Sequence, residues 1–414
     1  MMNQERLLER FLRYVRINTT AREGVEDYPS SQGQWELGRL LVAELQTMGI
    51  RDARQNEHAI VLATVPATVD RQVPAIAFCA HLDTSPETSG AGVKPQIIDD
   101  YRGGDIPLPG DPDRLIRVRE NPELNDLIGR TIITSDGTTL LGADDKAGVA
   151  AIMEAAHWFM EHPDAPHGPI RLCFTCDEEI GRGVDFLEPE QLDAVVCYTL
   201  DGQGGGTIDV ETFSADKAVI TVGGVNIHPS IAKGRMVNAV RVASHFLDRL
   251  PRDRLSPEST QDREGFLHPY VIRGGVDKVE IQVLLRDFET AELDRQAELL
   301  RQVASTTESE FAGAKIEVSV SRQYRNMAEG LAKEPRAVAY AQQALQRLGR
   351  TVRLTIVRGG TDGSRLTEKG LPTPNLATGE HAPHSPQEWA CLQEMLDAAR
   401  WIELLAEVWS DPSA

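Results

Sequence analysis

Short apolar runs alternate with helical stretches through the first half of the chain, and few folds accept that alternation. The runs "AIVLATVP", "PAIAFCAHLD", "PIRLCFTCDEE" and "AVVCYTLDG" are typical of buried strands, and a helix is predicted from about Ala147 to Met160. Strands that alternate with crossover helices form a largely parallel α/β sheet. Ligands of such sheets bind beyond the carboxyl ends of the strands. The polar residues that follow each run are therefore the candidates for function.

The segment from Phe213 to Tyr324 has a different pattern. Its runs "DKAVITVGGV", "DKVEIQVLLRDF" and "AKIEVSVSRQY" alternate apolar and polar residues, which indicates a small antiparallel sheet with one covered face. After this segment, the chain returns to the alternation of helices and apolar strands seen in its first half. We predict an α/β domain of residues 1–212 and 325–414 with a mostly parallel central sheet, and an inserted α+β domain, ferredoxin-like, of residues 213–324. Edge strands of the inserted sheet also predict a homodimer through this domain.

Composition argues against several classes of partner. The formal net charge is −20 and the pI is about 5.0, so an anionic nucleic-acid backbone or membrane surface would repel the chain. No run approaches the roughly 20 apolar residues that cross a bilayer. The opening "MMNQERLLERFLRYVRIN" predicts an amphipathic surface helix rather than a signal peptide. We expect a cytoplasmic protein without nucleic-acid or membrane partners.

The five cysteines predict no disulfide framework, because their number is odd and most lie inside apolar runs. Cys173 and Cys176 form a single C-x-x-C. One such pair is weak evidence for zinc binding or redox chemistry, and two buried strand cysteines are the simpler interpretation.

Acids and histidines recur after the predicted strands, in "AHLDTSP", "LGADDKAG", "TCDEEIG", "YTLDGQGGG" and "GEHAPHSPQEW". Each pattern alone is ordinary, since H-x-D is more often a surface pair and "DEE" a solvated turn. Together they would gather several carboxylates at one sheet edge, where like charges either raise a pKa or require a cation. Imidazole and carboxylate ligands without thiolates suit zinc, or alternatively cobalt or manganese, and a bridging carboxylate can hold two such ions. The pattern predicts a hydrolytic two-metal site.

These motifs, in this order, make the chain resemble the M20 family of dinuclear zinc peptidases. The resemblance extends over nearly the whole chain, through "HLDTSP", "TLLGADDKAG", "DEEIG", "YTLDG", "HPSIAKGRMVNA", "LLRDF", "VRGGTDGSRL" and "GLPTPNL". Within the family, "HLDTSP", "YRGGDI", "REGF" and "RGGTDGSRL" resemble the tripeptide aminopeptidases. The resemblance implies a cytoplasmic enzyme that binds two Zn²⁺, with Co²⁺ or Mn²⁺ as substitutes, and releases the N-terminal residue of short peptides.

The resemblance also implies roles for individual residues. One zinc would be held by His81, Asp144 and Asp201, and the other by Asp144, Glu179 and His384, so that Asp144 bridges them. Asp83 would accept a hydrogen bond from the imidazole of a ligand, and Glu178 would be the general base. Asp145, beside the bridge, is predicted to cap the following helix. His384 is preferred to His381 as the ligand because Glu388 follows it by four residues, as in the family.

Four further residues would contact substrate or oxyanion by the same resemblance, namely His228, Asn238, Arg286 and Arg358. His228 would stabilise the oxyanion, and Arg286 would bind a substrate carboxylate, for which a guanidinium is well suited. An ion pair of Arg286 with Asp287 or Glu289 at a strand edge is the alternative.

Two other functions stay open at this point. One is a different M20 amide hydrolase, namely a dipeptidase, a carboxypeptidase or an N-acyl amino acid deacylase. The other is a metal-binding scaffold without catalysis, which loss of Glu178 or of a ligand would favour; every expected position is occupied.

Overall fold

A computed structural model of the protein describes residues 2–411. The chain divides into two compact units, one of residues 1–210, 327–355 and 361–414 and the other of residues 211–326 and 356–360. The boundaries predicted for the inserted domain, 213 and 324, lie two residues inside the observed ones, and the short segment 356–360 joins the second unit. Residue 1 and residues 412–414 of the predicted α/β domain lie outside the described range.

Over the described residues the helices and strands follow in the order expected for an α/β chain with an insertion. The α-helices are α1 (Gln4–Tyr14), α2 (Gln32–Thr47), α3 (Ala143–Glu161), α4 (Pro189–Leu192), α5 (Ala239–Asp248), α6 (Thr290–Glu310), α7 (Ala328–Leu331), α8 (Arg336–Arg347), α9 (Asp362–Glu368) and α10 (Leu392–Ser410). The strands are β1 (Arg54–Gln55), β2 (Val61–Val65), β3 (Ile76–His81), β4 (Gln96–Ile98), β5 (Ile106–Pro107), β6 (Leu115–Ile116), β7 (Ile132–Thr134), β8 (Ile170–Thr175), β9 (Val196–Gln203), β10 (Thr207–Thr212), β11 (Ser214–Gly223), β12 (Phe266–Gly274), β13 (Lys278–Asp287), β14 (Lys315–Tyr324), β15 (Arg353–Val357), β16 (Asn375–His381) and β17 (Trp389–Cys391).

The large sheet has a parallel centre and antiparallel flanks. Its strand order is β1-β2-β8-β3-β9-β16-β17-β7-β4, and β10 pairs with β16 and β15. The central pairs β8–β3, β3–β9 and β9–β16 are parallel, whereas the outer pairs are antiparallel. All six residues of β3 are buried, as its continuous apolar run predicts for a strand covered on both faces. The predicted α/β class with a parallel centre is confirmed.

Helix α3 lies deep against this sheet. Fifteen of its residues are buried, so it is apolar on most of its circumference rather than along one stripe. Gly148 of α3 packs directly against β9, because a Cβ at this position would lie 2.0 Å from the backbone oxygen of Leu200. The small side chain allows the N-terminal turn of α3 to approach the strand end that carries Asp201.

The second unit contains a four-stranded antiparallel sheet in the order β12-β13-β11-β14. Residues of β13 alternate between buried and less buried positions, as period-2 patterning requires for a sheet with one covered face. Buried residues of α5 and α6, including Val242, Phe246 and Leu300, form one core with the covered face of the sheet. None of the helices within residues 2–411 is long and apolar enough to cross a membrane.

Candidate metal centre

Three neighbouring strands deliver polar side chains to one edge of the large sheet. His81 is the last residue of β3, and its backbone pairs with Thr175, the last residue of β8. Glu178 and Glu179 follow shortly after β8, and Asp201 lies on β9. Parallel strands end at the same edge of a sheet. The apolar runs that were identified in the sequence therefore bring these residues together.

The first group consists of His81, Asp144 and Asp201. The Nε2 atom of His81 lies 2.9 Å from Oδ1 of Asp144 and 3.5 Å from Oδ1 of Asp201. One ligand atom from each residue lies within 4.8 Å of the others. His81 is 2% exposed, so its imidazole has little freedom to turn away.

The second group consists of Asp144, Glu179 and His384. The Nε2 atom of His384 lies 3.1 Å from Oδ2 of Asp144 and 2.9 Å from Oε2 of Glu179. The two oxygens of Asp144 therefore face different groups, Oδ1 towards His81 and Oδ2 towards His384. This is the arrangement of a carboxylate that bridges two metal ions.

The electrostatics of the groups favour cations. Burial raises the pKa of Glu179 to about 8 and the pKa of Asp201 to about 6. Burial opposes charge on His384, but hydrogen bonds to Asp144 and Glu179 raise its pKa to about 12. Oε1 of Glu179 is buried without a hydrogen-bond partner within residues 2–411. The donor set of two imidazoles and three carboxylates fits a pair of divalent ions, which would also bind the unpartnered oxygen of Glu179.

Comparisons with known proteins agree with this donor set. The model of peptidase family M20/M25/M40 matches residues 137–408. Peptidase T of Geobacillus kaustophilus is 41% identical over 401 residues, which is 97% of each chain. The chain belongs to the M20 peptidase family. Two solved structures cover nearly all of it: aminopeptidase PepT from Bacillus cereus, with a TM-score of 0.76 and 27% identity over 99% of this chain and 100% of that one, and a tripeptidase from Staphylococcus aureus, with a TM-score of 0.77 and 26% identity over 99% of each.

In this M20 peptidase, Asp83 contacts both His81 at the end of β3 and the turn after β8 that carries Glu178 and Glu179. Its carboxylate oxygens accept hydrogen bonds from the backbone N–H of Glu178 and of Glu179, each at 3.1 Å. The Nδ1 atom of His81 lies 3.1 Å from the backbone oxygen of Asp83 and 3.4 Å from its Oδ1. One fully buried carboxylate thus orients the imidazole and the two glutamates. Burial raises the pKa of Glu178 well above its usual value.

Glu388 anchors the loop that carries Asp144, a function that the sequence did not reveal. Its Oε2 accepts hydrogen bonds from the backbone N–H of Leu141 and Gly142, each at 2.7 Å, and its Oε1 accepts one from Asp144 at 2.9 Å. Glu388 is 1% exposed. Its spacing from His384 was the only signal in the sequence, and it pointed to the histidine rather than to this loop.

Asp177 anchors the turn that carries Glu178 and Glu179, and it was also missed. Its carboxylate accepts hydrogen bonds from the backbone N–H and hydroxyl of Ser30 and from the side-chain amide of Gln34. Its backbone N–H donates to the amide oxygen of Gln34 at 3.0 Å. With a φ of 61°, it turns the chain sharply between β8 and the two glutamates. A positive φ is tolerated by Asp more than by most residues, which is the only trace of this function in the sequence.

The predicted helix cap at Asp145 is wrong. The residue before α3 is Gly142, Asp144 and Asp145 have non-helical backbone angles, and no side chain caps the helix. Oδ2 of Asp145 instead accepts a hydrogen bond from the backbone N–H of His81 at 3.0 Å. The carboxylate that follows the candidate ligand Asp144 in sequence therefore fixes the backbone of the candidate ligand His81. Its Oδ1 is buried without a partner inside the described range.

Neither His381 nor any cysteine belongs to either group of the described residues. The ring of His381 stacks on Trp389 at 3.7 Å, and its Nε2 lies 2.8 Å from Oε2 of Glu394. All five cysteines are buried and free. Cys173 lies within β8 and Cys176 directly follows it. Both are buried and form no disulfide, which agrees with the simpler interpretation of the C-x-x-C.

The four predicted substrate residues belong to the second unit and have partners there. His228 is exposed, with Nδ1 2.6 Å from the hydroxyl of Ser230. Asn238 caps α5. Arg286 is 8% exposed and donates to the backbone oxygens of Asp216 and Leu285, an arrangement that includes neither of its alternative ion-pair partners. Arg358 donates to the hydroxyl of Thr260 and the backbone oxygen of Asp262.

Proposed function

We propose that this chain is a tripeptide aminopeptidase that uses two metal ions to release the N-terminal residue of short peptides. The observation that carries the proposal is the bridging position of Asp144, whose two oxygens face two separate groups of ligands. Identity of 41% with a peptidase T over 97% of both chains supports the substrate class.

Zinc is the proposed metal. His81, Asp144 and Asp201 would hold one ion, and Asp144, Glu179 and His384 the other. Mixed imidazole and carboxylate ligands suit Zn²⁺, and they also accept Co²⁺ or Mn²⁺. When bound, such ions lower the pKa of water towards about 7 and polarise the scissile carbonyl.

Glu178 is the proposed general base. It lies beside the ligand Glu179, and the carboxylate of Asp83 fixes the backbone N–H of both. Glu178 would take a proton from the attacking water as the new C–O bond forms. It would return that proton to the amine nitrogen as the peptide C–N bond breaks, so that the base is regenerated in each turnover.

The remaining assignments stay predictions. The roles of His228 and Asn238 at the oxyanion or substrate, and of Arg286 and Arg358 at a substrate carboxylate, rest on resemblance alone. A homodimer through the inserted domain and a location in the cytoplasm likewise stay proposals. For Arg286, the structure adds an observation against a mobile, substrate-seeking side chain, because its guanidinium is buried and bonded to backbone oxygens.

A panel of peptides tests the proposed substrate class. Alanine-based di-, tri- and tetrapeptides are compared with N-acetylated tripeptide and with N-acetyl amino acids, and the released residue is identified by chromatography. We expect cleavage of the tripeptide at its first bond, with a higher kcat/KM than for the dipeptide or tetrapeptide, and no cleavage after acetylation of the amine. Preferred cleavage of the dipeptide or of an N-acetyl amino acid would assign the chain to another branch of the family.

A further inference from the structure

A cavity of about 420 Å³ lies in the first unit, and no residue of the two metal groups lines it. Its walls come from α8 and the segment that follows it, from α10, from the connection between β9 and β10, and from the segment before β7. The residues that matter for its chemistry are Asp126, Arg130, Leu345, Arg353, Glu394 and Trp401. A volume of this size is in the range of about 300 to 1,000 Å³ that is typical of small-molecule sites.

The floor of the cavity is apolar and fixed. Leu345 and Ala398 are buried, and Trp401 is 2% exposed. The indole N–H of Trp401 donates to the backbone oxygen of Ala341 at 2.9 Å, so the ring offers only its carbon surface to the cavity. Such a floor suits an aliphatic side chain.

The rim carries charges of both signs, and most of them are already paired. Arg350 lies 2.5 Å from a carboxylate oxygen of Asp397, and Arg353 donates to the backbone oxygen of Gly205. By contrast, Asp126 is exposed, and Arg130 is half-buried with the carboxylate of Asp397 as an electrostatic neighbour. The cavity is thus lined by the guanidinium of Arg130 and the carboxylate of Asp126 together with an apolar surface.

We propose that this cavity binds a free α-amino acid with an aliphatic side chain. The guanidinium of Arg130 would bind the carboxylate of the amino acid, for which its planar geometry is well suited. The carboxylate of Asp126 would bind the ammonium group, and the side chain would lie on Leu345, Ala398 and Trp401. A zwitterion with an apolar side chain complements all three surfaces at once.

Binding here would reach the metal centre through short connections. Glu394, which lines the cavity, contacts Nε2 of His381 at 2.8 Å. His381 ends β16, three residues before the metal-site residue His384. Gly205 also lines the cavity and follows β9, which carries Asp201. The regulatory part of the proposal, which rests on the proposed peptidase function, is that an amino acid bound here lowers kcat through these connections.

Calorimetric titration of the metal-loaded enzyme tests the binding site independently of turnover. The ligand is L-leucine, L-leucinamide lacks the carboxylate, and N-acetyl-L-leucine lacks the ammonium group. Because leucine can also bind at the metal centre as a product, the cavity site is the binding component that Arg130→Ala weakens. We expect this component to bind leucine, to bind both analogues at least tenfold more weakly, and to lose the same factor for leucine in Arg130→Ala, about the loss of one charge-assisted contact. Arg71→Ala, which removes an exposed arginine elsewhere in the unit, should bind leucine like the unaltered enzyme. Equal leucine affinity in Arg130→Ala and the unaltered enzyme, or no binding up to about 10 mM, overturns the site.

Steady-state kinetics test the regulatory part. Leucine released as a product competes at the metal centre and raises KM, whereas leucine in the cavity lowers kcat. We expect leucine to reduce kcat of the unaltered enzyme and of Arg71→Ala, and to leave kcat of Arg130→Ala unchanged while KM still rises. A kcat that leucine does not alter in the unaltered enzyme refutes the regulatory effect, whatever the calorimetry shows. Absence of peptidase activity in every variant would instead count against the proposed function.

Discussion

Oε1 of Glu388 lies 2.9 Å from the backbone nitrogen of Asp144. The same carboxylate accepts hydrogen bonds from the N–H groups of Leu141 and Gly142, so a single buried side chain holds the loop that presents Asp144, the proposed bridging residue. The position of Asp144 between the two ligand groups depends on this contact across the chain.

We expect Glu388→Gln to weaken metal binding. The amide has one acceptor oxygen, and its NH₂ group would face backbone N–H donors, so the loop loses part of its anchorage. Residues that orient metal ligands typically account for a factor of about 10 to 100 in metal affinity. Competition with a chelator measures that factor. The matched control is Glu403→Gln on α10, a carboxylate whose electrostatic neighbours include Glu407, Arg400 and His162 but no residue of the Asp144 loop. Equal affinities in both variants would contradict the anchoring role.

We expect Glu178→Gln to abolish most of the hydrolysis while both metals stay bound. The amide cannot accept the proton of the attacking water, and general-base catalysis is typically worth a factor of about 10² to 10⁴. The measurement combines kcat on a tripeptide with metal analysis of the same sample. Ordinary turnover with a full metal content would remove Glu178 from the mechanism.

We expect Asp145→Ala to destabilise the fold and Asp145→Asn to restore most of the loss. Alanine leaves the buried N–H of His81 without its acceptor, at a cost of about 1 to 3 kcal/mol, whereas the amide oxygen of asparagine can still accept. Urea unfolding of the three proteins measures the difference. If the alanine and asparagine variants unfold at the same urea concentration, the hydrogen bond to His81 is not what Asp145 contributes.

We expect the contribution of His381 to stability to decline as the pH rises. Burial disfavours its charged form, but hydrogen bonds to Glu123 and Glu394 outweigh that effect and raise its pKa above 6.5. A pKa raised in the folded state gives stability that is fully present below the unfolded value and is lost as the pH rises through the folded value. The difference in unfolding free energy between the unaltered protein and His381→Gln should therefore be larger at pH 6 than at pH 9. A difference that grows with pH would reverse the assignment.

The parts of the centre that follow strands could be predicted from sequence. The run "PAIAFCAHLD" contains His81 near its end, and Asp201 directly follows "AVVCYTL". Parallel pairing then brings both residues to one edge of the sheet. Of the separate roles of Asp144 and Asp145, the one that Asp145 has could not be predicted from the sequence. A carboxylate before a helix has the pattern of a cap, and its actual partner, the N–H of His81, lies 64 residues earlier in the chain.

The anchoring roles of Glu388 and Asp177 could not be predicted from the sequence for a related reason. Glu388 binds a loop about 245 residues away in sequence, and Asp177 binds Ser30 and Gln34 from a left-handed backbone conformation. No local pattern encodes such contacts, because they exist only after the sheet has formed. Arg286 shows a different limit of sequence analysis. The sequence around an arginine at the end of a strand does not tell whether the guanidinium binds substrate or, as here, backbone oxygens.

The central claim is that two metal ions, bridged by Asp144, perform peptide hydrolysis. The most direct measurement is the metal content per chain together with the rate of tripeptide cleavage, before and after chelation, for the unaltered protein and for Asp144→Ala. We predict two metals per chain, loss of cleavage on chelation, recovery with Zn²⁺, Co²⁺ or Mn²⁺, and neither metal nor activity in Asp144→Ala. Full activity of the metal-free protein, or of Asp144→Ala, would contradict the claim.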